Sequence, residues 1–232
     1  MSIITLKEVH KAYQTKGIMV KALRGVSLTI DKGEFAALAG PSGSGKTTLL
    51  NIVGGLDAPS SGSVTVGGEM LENLGAKELA GLRLRKIGFV FQAYNLIPVL
   101  TAMENVEYVL LLQGLDKEKR YARSENVLRE VGLEKEMHRR PHELSGGQQQ
   151  RVAVARAIVS EPDIVLADEP TANLDQKTGA HLLDMMHQLN EAKHITFLFS
   201  THDSMVMERA ERLFHLIDGK IIKEELRETT PS

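Results

Sequence analysis

The sequence predicts an α/β domain in which a mostly parallel sheet is covered by helices on both faces. Apolar runs of strand length, such as "DIVLADE" (163–169) and "ITFLFSTHD" (195–203), alternate with helical patterns such as "KTGAHLLDMMHQLNEA" (177–192). Alternation of this kind is typical of parallel sheets buried on both sides. A chain of 232 residues is also long enough to bury a full core.

A glycine-rich loop joins one of these strands to a helix. The strand "EFAALAG" leads directly into "GPSGSGKT" (40–47), and the helix "KTTLLNIVGGL" follows. The G-x-x-x-x-G-K-[ST] spacing in this context predicts a loop that binds the phosphates of a nucleotide. Lys46 would reach the β and γ phosphates, and the Thr47 hydroxyl would ligate Mg²⁺. The predicted binding residues are Ser42, Gly43, Ser44, Gly45, Lys46, Thr47 and Thr48, and the alternative is a glycine-rich turn with a chance lysine.

Strand patterns outside the parallel sheet suggest antiparallel pairing. The segments "IITLKEVHKAY" (3–13) and "VKALRGVSLTI" (20–30) alternate like half-exposed strands. Gly67-Gly68 and Asp218-Gly219 predict hairpin turns, the first of which would add an antiparallel edge to the sheet. A helix-rich region lies between Pro98 and Pro141 and reads as an insert between the two halves of the sheet.

Two carboxylates end the strand "DIVLADE". Because parallel sheets bind ligands at the carboxyl ends of their strands, Asp168 and Glu169 are expected near the phosphate loop. Asp168 would hold Mg²⁺, through water, and Glu169 would act as the general base that activates an attacking water. The alternative is that the two acids only cap a following helix.

Composition argues against nucleic acid as a partner and favours a reducing compartment. The net charge is -2, so no basic field favours nucleic acid. Cysteine is absent, which fits a reducing compartment and favours the cytoplasm. The N-terminus reads as a strand rather than a signal peptide, and the apolar tract 106–115 is too short to cross a bilayer. We therefore expect no membrane span, and any membrane role would come through a partner.

Four motifs in order, "GPSGSGKTT", "LSGGQQQR", "VLADEPTANLD" and "STHD", resemble those of the ATP-binding-cassette (ABC) ATPases. The resemblance runs from about residue 6 to residue 224. A lone SGG triplet could be a flexible loop before a helix, but the ordered set is specific. The resemblance implies a P-loop NTPase fold with a RecA-like core, an antiparallel β-subdomain and a helical subdomain at about 93–158. Residues 1–232 would then form a single nucleotide-binding domain.

The resemblance also assigns a purpose to the "LSGGQ" stretch. In such cassettes this signature, here Ser145, Gly146, Gly147 and Gln148, closes over the nucleotide held by the phosphate loop of another subunit. Two copies would thus enclose two ATP molecules head to tail, and the implied cofactors are ATP and Mg²⁺. A helix that begins at the signature would present its positive end to the γ phosphate.

Five further positions match functional residues of the family. Gln92 matches the glutamine that contacts Mg²⁺ and the attacking water, and His202 matches the histidine that contacts the γ phosphate. Tyr13 matches the aromatic residue that stacks on adenine, with Val20 beside it, and Asp175 matches the loop that crosses the dimer interface. Taken alone, Gln92 could be a solvated strand end, Tyr13 an edge-packing residue, and Asp175 the N-cap of the next helix.

The run "FQAYNLIPVLTAMENVEYVLLLQG" (91–114) looks like the lipoprotein-release and macrolide-exporter ATPases, of the LolD and MacB type. This resemblance implies a permease partner with few membrane spans and a large external domain. It also implies a cytoplasmic location on the inner face of the membrane. The alternatives are an FtsE-like regulatory ATPase, a soluble cassette of translation or DNA repair, and a P-loop kinase.

Overall fold

The computed structural model describes residues 1–15 and 18–227. The strands are β1 Ser2–Thr15, β2 Ile18–Asp31, β3 Phe35–Ala39, β4 Ser61–Val66, β5 Glu69–Met70, β6 Ile87–Val90, β7 Ile164–Asp168, β8 Thr196–Thr201, β9 Arg212–Ile217 and β10 Lys220–Leu226. The helices are α1 Lys46–Val53, α2 Ala76–Lys86, α3 Ala102–Leu112, α4 Lys117–Glu130, α5 Gly146–Ile158, α6 Gln176–Lys193 and α7 Ser204–Arg209. None of the helices in these residues has the length and apolar character to span a membrane.

The central sheet has six strands in the order β10-β9-β3-β8-β7-β6. Strands β3, β6, β7, β8 and β9 pair in parallel, and β10 adds an antiparallel edge through the hairpin at Asp218 and Gly219. Both turn residues have positive φ, 48° and 76°, as a tight hairpin requires. The predicted parallel sheet and this hairpin are both present.

A second, antiparallel sheet has four strands in the order β2-β1-β4-β5. The expectation that the Gly67-Gly68 hairpin extends the central sheet is therefore wrong, because β4 pairs with β1 instead. Strand β1 has β2 on one side and β4 on the other, and both neighbours run antiparallel to it. The two segments at the N-terminus thus build a separate layer.

Side chains of β3 show how the layers meet. Phe35, Ala37 and Ala39 face the core shared with the helical side of the molecule. Ala36 and Leu38 face the core shared with α1 and the small sheet. All five are essentially inaccessible to solvent, which accounts for an uninterrupted apolar run instead of an alternating one.

The helix α5 lies directly on strand β6, and a glycine makes this possible. A Cβ atom at Gly88 would collide with the backbone carbonyl of Ala157, so only glycine allows this approach. Helices α3 and α4 pack on each other and on α5, forming the helix-rich region that the sequence predicts. Close packing at Gly88 therefore fixes α5 against β6.

Candidate functional site

The glycine-rich loop connects β3 to α1 at the carboxyl edge of the central sheet. Gly43 and Gly45 have φ of 79° and 107°, a region that L-residues avoid. A Cβ atom at Gly40 would strike the backbone carbonyl of Leu216 in β9, so the loop also needs glycine where it passes the sheet. Ser42 is exposed, whereas Ser44 is 3% exposed and its hydroxyl has no hydrogen-bond partner among the described residues.

Lys46 begins α1 and points back into the loop. Its ammonium donates to the carbonyl oxygens of Gly40 and Pro41 at 2.7 and 3.0 Å, and its side chain is 6% exposed. The same nitrogen lies 3.8 Å from Glu169 Oε1. A lysine ammonium has three protons to donate, so this geometry leaves one for a further acceptor.

Thr47 meets Asp168 next to this lysine. The Thr47 hydroxyl donates to Asp168 Oδ2 at 3.0 Å, and both side chains lie where α1 begins and β7 ends. The described residues contain no group of three or more His, Cys, Asp or Glu side chains that could hold a metal. Mg²⁺ typically takes only one or two protein carboxylates together with phosphates and waters, so a hydroxyl beside one carboxylate fits it.

Glu169 and His202 form a pair at the same edge. Glu169 Oε1 lies 2.8 Å from His202 Nδ1, and the His202 side chain is 66% exposed. Glu169 adopts φ of 46°, an unusual value for a glutamate, and its amide donates to the carbonyl of Ser200 in β8. The backbone thus holds this carboxylate at a fixed place between Lys46 and His202.

Tyr13 lies near the end of β1, opposite Val20 of β2. The two side chains are 37% and 51% exposed, so they offer apolar surface to solvent. Tyr13 donates from its hydroxyl to Asp57 Oδ2 at 2.7 Å. Partial burial and this bond raise the pKa of the Tyr13 phenol, while the nearby Thr48 side chain of α1 has a smaller opposite effect. Tyr13 therefore stands beside the first turn of α1.

The signature residues begin helix α5. Ser145 is its N-cap: the hydroxyl accepts from Gln148 N at 3.3 Å, and the Gln148 side chain accepts from Ser145 N at 2.9 Å. A Cβ atom at Gly146 would approach the Tyr94 hydroxyl to 2.9 Å, and one at Gly147 would collide with Thr178. Within residues 1–15 and 18–227, no hydrogen bond or ion pair joins the signature to the phosphate loop.

Gln92 and Asp175 lie on loops that meet. Gln92 is exposed just beyond β6, and its backbone carbonyl accepts a hydrogen bond from Asn173 Nδ2 at 2.8 Å. Asp175 is the N-cap of α6, where it accepts from Thr178 N at 3.0 Å. Hydrogen bonds from the Thr178 side chain and backbone lower the Asp175 pKa. Asp175 is therefore the N-cap of α6, as one of the two interpretations of this residue expects.

Comparison with known proteins decides the family. Residues 23–172, more than half of the chain, match the family model described as ABC transporter. The chain belongs to the ABC transporter family. It is an ATP-binding, ATP-hydrolysing cassette, with the fold and motif order that the sequence predicts.

Individual relatives agree with this assignment. The ABC cassette MJ0796, in a dimeric post-hydrolysis structure bound to ADP and Pi, superimposes with a TM-score of 0.90 at 43% identity, covering 98% of this chain and 100% of that one. The lipoprotein-releasing system ATP-binding protein LolD of Legionella pneumophila (strain Lens) is 42% identical, covering 96% of this chain and 98% of LolD. The macrolide export ATP-binding/permease protein MacB of Mannheimia succiniciproducens is also 42% identical over 96% of this chain, which spans 34% of MacB.

Three residues that support the site of this ABC cassette are not identifiable from the sequence motifs. Asp57 and Lys11 contact Tyr13, and Arg156 of α5 donates to two backbone carbonyls of the segment after Gln92. Their partners are distant in the chain, 46 residues for Lys11 and Asp57. The only local signal was the placement of Lys11 two residues before Tyr13 in the same strand, which indicates a shared face.

Proposed function

We propose that this cassette is the energy-coupling subunit of a transporter of the LolD/MacB type and that it works as a head-to-tail dimer around two ATP molecules. The observation that carries the proposal is the cluster of Lys46, Thr47, Asp168, Glu169 and His202 at one edge of the central sheet. Each of these groups has a place in phosphoryl transfer to water.

The phosphate chain of ATP would lie along residues 42–48. Backbone N–H groups of the loop and the N-terminus of α1 favour negative charge there, and the remaining proton of Lys46 would go to a β- or γ-phosphate oxygen. Thr47 and Asp168 would hold Mg²⁺, the carboxylate through water, with Gln92 as a further oxygen donor. When bound, Mg²⁺ neutralises charge on the β and γ phosphates.

Hydrolysis would use Glu169 as the base. A water oxygen attacks the γ-phosphorus, the bond from that phosphorus to the bridging oxygen of ADP breaks, and Glu169 accepts the proton released by the water. His202 is 2.8 Å from the same carboxylate through Nδ1, so its Nε2 remains available to a γ-phosphate oxygen. Glu169 and His202 would together position the attacking water beside the γ phosphate.

The base of ATP would stack on Tyr13, next to Val20. Tyr13 stands beside Thr48 in the first turn of α1, so a nucleotide whose phosphates lie on this helix could reach the ring. Aromatic stacking accepts any base, since every base has a π face. The triphosphate would therefore supply most of the specificity.

The signature supports a dimer in which each copy completes the other's site. Ser145 is exposed at the N-terminus of α5, and Gly147 beside it presents only backbone. An anion is the natural ligand of such a helix end, and the γ phosphate of a second copy provides one. Asp175 would lie on the loop that crosses between the copies. MJ0796, at 43% identity, has been captured as a dimer with ADP and Pi.

The membrane partner follows from the relatives. MacB carries its permease in the same chain, and LolD belongs to a lipoprotein-releasing system. We take residues 1–232 as one nucleotide-binding domain, with 93–158 as its helical subdomain. This domain would act on the inner face of the cytoplasmic membrane, bound to a permease with few spans and a large external domain.

The dimer is tested with three variants in size-exclusion chromatography with light scattering. Glu169→Gln should bind ATP, dimerise with it, and turn over more slowly by on the order of 10² to 10⁴. Adding Ser145→Arg should abolish the dimer and leave ATP binding by the monomer intact. The matched control is Asp116→Arg in the same Glu169→Gln background, because Asp116 is the exposed N-cap of α4. Persistence of the dimer with Ser145→Arg contradicts the assignment of the signature.

The permease is tested by affinity purification of tagged Glu169→Gln protein with Mg-ATP from detergent-solubilised native membranes. Recovery of a few-span membrane protein with a large external domain supports the transporter assignment. Recovery of a ribosomal or DNA-repair partner instead would overturn it and leave the ATPase chemistry unaffected.

A further inference from the structure

The ring of Tyr13 is fixed by a charged pair that no motif contains. Asp57, in the loop after α1, accepts from the Tyr13 hydroxyl through Oδ2 at 2.7 Å and from Lys11 Nζ through Oδ1 at 2.6 Å. The Lys11 ammonium also lies 4.8 Å from the centroid of the Tyr13 ring. One carboxylate thus binds the edge of the ring and the cation that covers one of its faces.

The carboxylate itself is held by the backbone. Asp57 Oδ1 also accepts from the amide of Ala58, and Lys11 donates to the Ala58 carbonyl at 2.7 Å. The amide of Asp57 donates to the carbonyl of Asn51 in the last turn of α1. A continuous series of hydrogen bonds therefore connects α1, the helix after the phosphate loop, through Asp57 to the Tyr13 ring.

The protonation states suit this arrangement. Partial burial raises the pKa of Asp57, but the hydrogen bonds from Lys11 and Tyr13 outweigh it, so the pKa lies below its ordinary value. The pKa of the Tyr13 phenol is raised, so the phenol remains a donor at neutral pH. A charged acceptor facing a neutral donor makes a hydrogen bond stronger than one between neutral groups.

We propose that Asp57 is a positioning residue for nucleotide binding. Together with Lys11, Asp57 holds the Tyr13 ring in the position and orientation that stacking on the base requires. Lys11 covers one face of the ring, and the base takes the other. The inference rests on the proposed function, in which Tyr13 receives the base. It predicts that Asp57 affects recognition of the base and leaves recognition of the phosphates unchanged.

The test compares two ligands by calorimetry in the presence of Mg²⁺: ATP and inorganic tripolyphosphate, which lacks the base. Asp57→Ala should weaken ATP binding by about 3- to 10-fold, the range of one hydrogen bond. Tripolyphosphate affinity should change by less than about twofold. Asp163→Ala is the matched control: Asp163 is comparably exposed and binds a lysine, Lys32, outside the phosphate loop. It should alter neither affinity.

Two further variants separate positioning from general destabilisation. Tyr13→Phe keeps the ring and loses the bond to Asp57, so it should reproduce the selective loss of ATP affinity. Asp57→Asn keeps an acceptor for the phenol and should restore most of that affinity. In a Tyr13→Ala background, Asp57→Ala should have little further effect, because the group it positions is gone.

Each other result overturns a defined statement. Equal losses for ATP and tripolyphosphate would mean that Asp57 only supports the fold. Unchanged ATP affinity in both Asp57→Ala and Tyr13→Phe, with a loss in Tyr13→Ala, would refute the positioning role and leave the stacking proposal intact. Unchanged affinity in Tyr13→Ala would refute the stacking on which the inference depends.

Discussion

Replacing Asn105 by alanine should lower the free energy of unfolding by about 2 to 4 kcal/mol. Asn105 is 1% exposed in α3, and its Oδ1 accepts from the amide of Ile97 at 2.8 Å. Its Nδ2 donates to the carbonyls of Ile97, Leu100 and Thr101 at 3.2, 3.1 and 2.9 Å. One side chain thus shapes the whole segment 97–101, which lies between Gln92 and the start of α3.

The size of this loss of stability follows from the backbone groups that lose their hydrogen-bond partners. The carbonyl of Ile97 also accepts from the amide of Leu100, and that of Thr101 from the amide of Asn105, so both stay satisfied. Within the described ranges, the amide of Ile97 and the carbonyl of Leu100 have Asn105 as their one partner. An orphaned polar group costs about 1 to 3 kcal/mol, and the lower half of that range applies here because both residues are partly exposed.

Urea titration measures this loss, with a shifted midpoint at unchanged slope. Asn126→Ala is the matched control, since Asn126 is exposed in α4 and bonds only one turn away, to Glu130 Oε1 at 2.8 Å. That variant should lose less than about 0.5 kcal/mol. If Asn105→Ala loses no more than Asn126→Ala, the reasoning from orphaned groups is refuted.

Three further predictions concern the loop, the sheet and the C-terminal hairpin. Lys46→Ala should weaken ATP binding, measured by calorimetry, because it removes the charge that meets the β and γ phosphates; unchanged affinity would contradict the loop assignment. Gly88→Val should destabilise by about 1 to 3 kcal/mol in urea, since the side chain would strike a carbonyl of α5, and a neutral effect would argue against this contact. Hydrogen bonds from Lys223 and Arg227 lower the pKa of Glu225 from 4.5 to about 2. Because the pKa of Glu225 is lower in the folded state than in the unfolded state, the ionised carboxylate stabilises the fold above pH 4.5. This stabilisation is lost as the pH falls toward 2. The urea midpoint of Glu225→Gln should therefore lie below wild type at pH 7, with a gap that closes over that window; a gap independent of pH would contradict this origin.

The features that the sequence predicts correctly depend on residues that are close together in the chain. The strand before Gly40, the helix after Lys46 and the pair Asp168 and Glu169 are each set by a few neighbouring residues, and the parallel sheet brings them to one edge. The helix-rich region that the sequence predicts between Pro98 and Pro141 contains α3 and α4. Apolar periodicity was sufficient for these elements.

What it could not predict depends on pairing between distant segments. Alternation identifies β1 and β4 as strands, but it does not say that they pair with each other instead of with the central sheet. The bond between Lys11 and Asp57 spans 46 positions, and nothing near Asp57 distinguishes it from a turn residue. The short helix α7 went unpredicted because six residues carry too little periodicity.

The segment after Gln92 is tied to both regions that would face a neighbouring copy. Arg156 of α5, whose pKa is lowered by burial, donates to the carbonyls of Tyr94 and Asn95 at 2.9 and 2.6 Å. Asn173, on the loop before Asp175, donates to the carbonyl of Gln92. Tyr94 and Asn95 both have positive φ, 59° and 51°, so this segment is held in a strained conformation by its partners.

These contacts connect helix α5, which begins at the "LSGGQ" signature, to the proposed metal side of the site. Strand β6 ends before Gln92, and the same strand supports α5 at Gly88. Gln92 is therefore connected to α5 by two routes, through β6 and through Arg156, and to the loop of Asp175 through Asn173. If Gln92 binds Mg²⁺ as proposed, a shift of Gln92 on binding would move the signature with it, because packed backbone joins the two instead of a flexible linker.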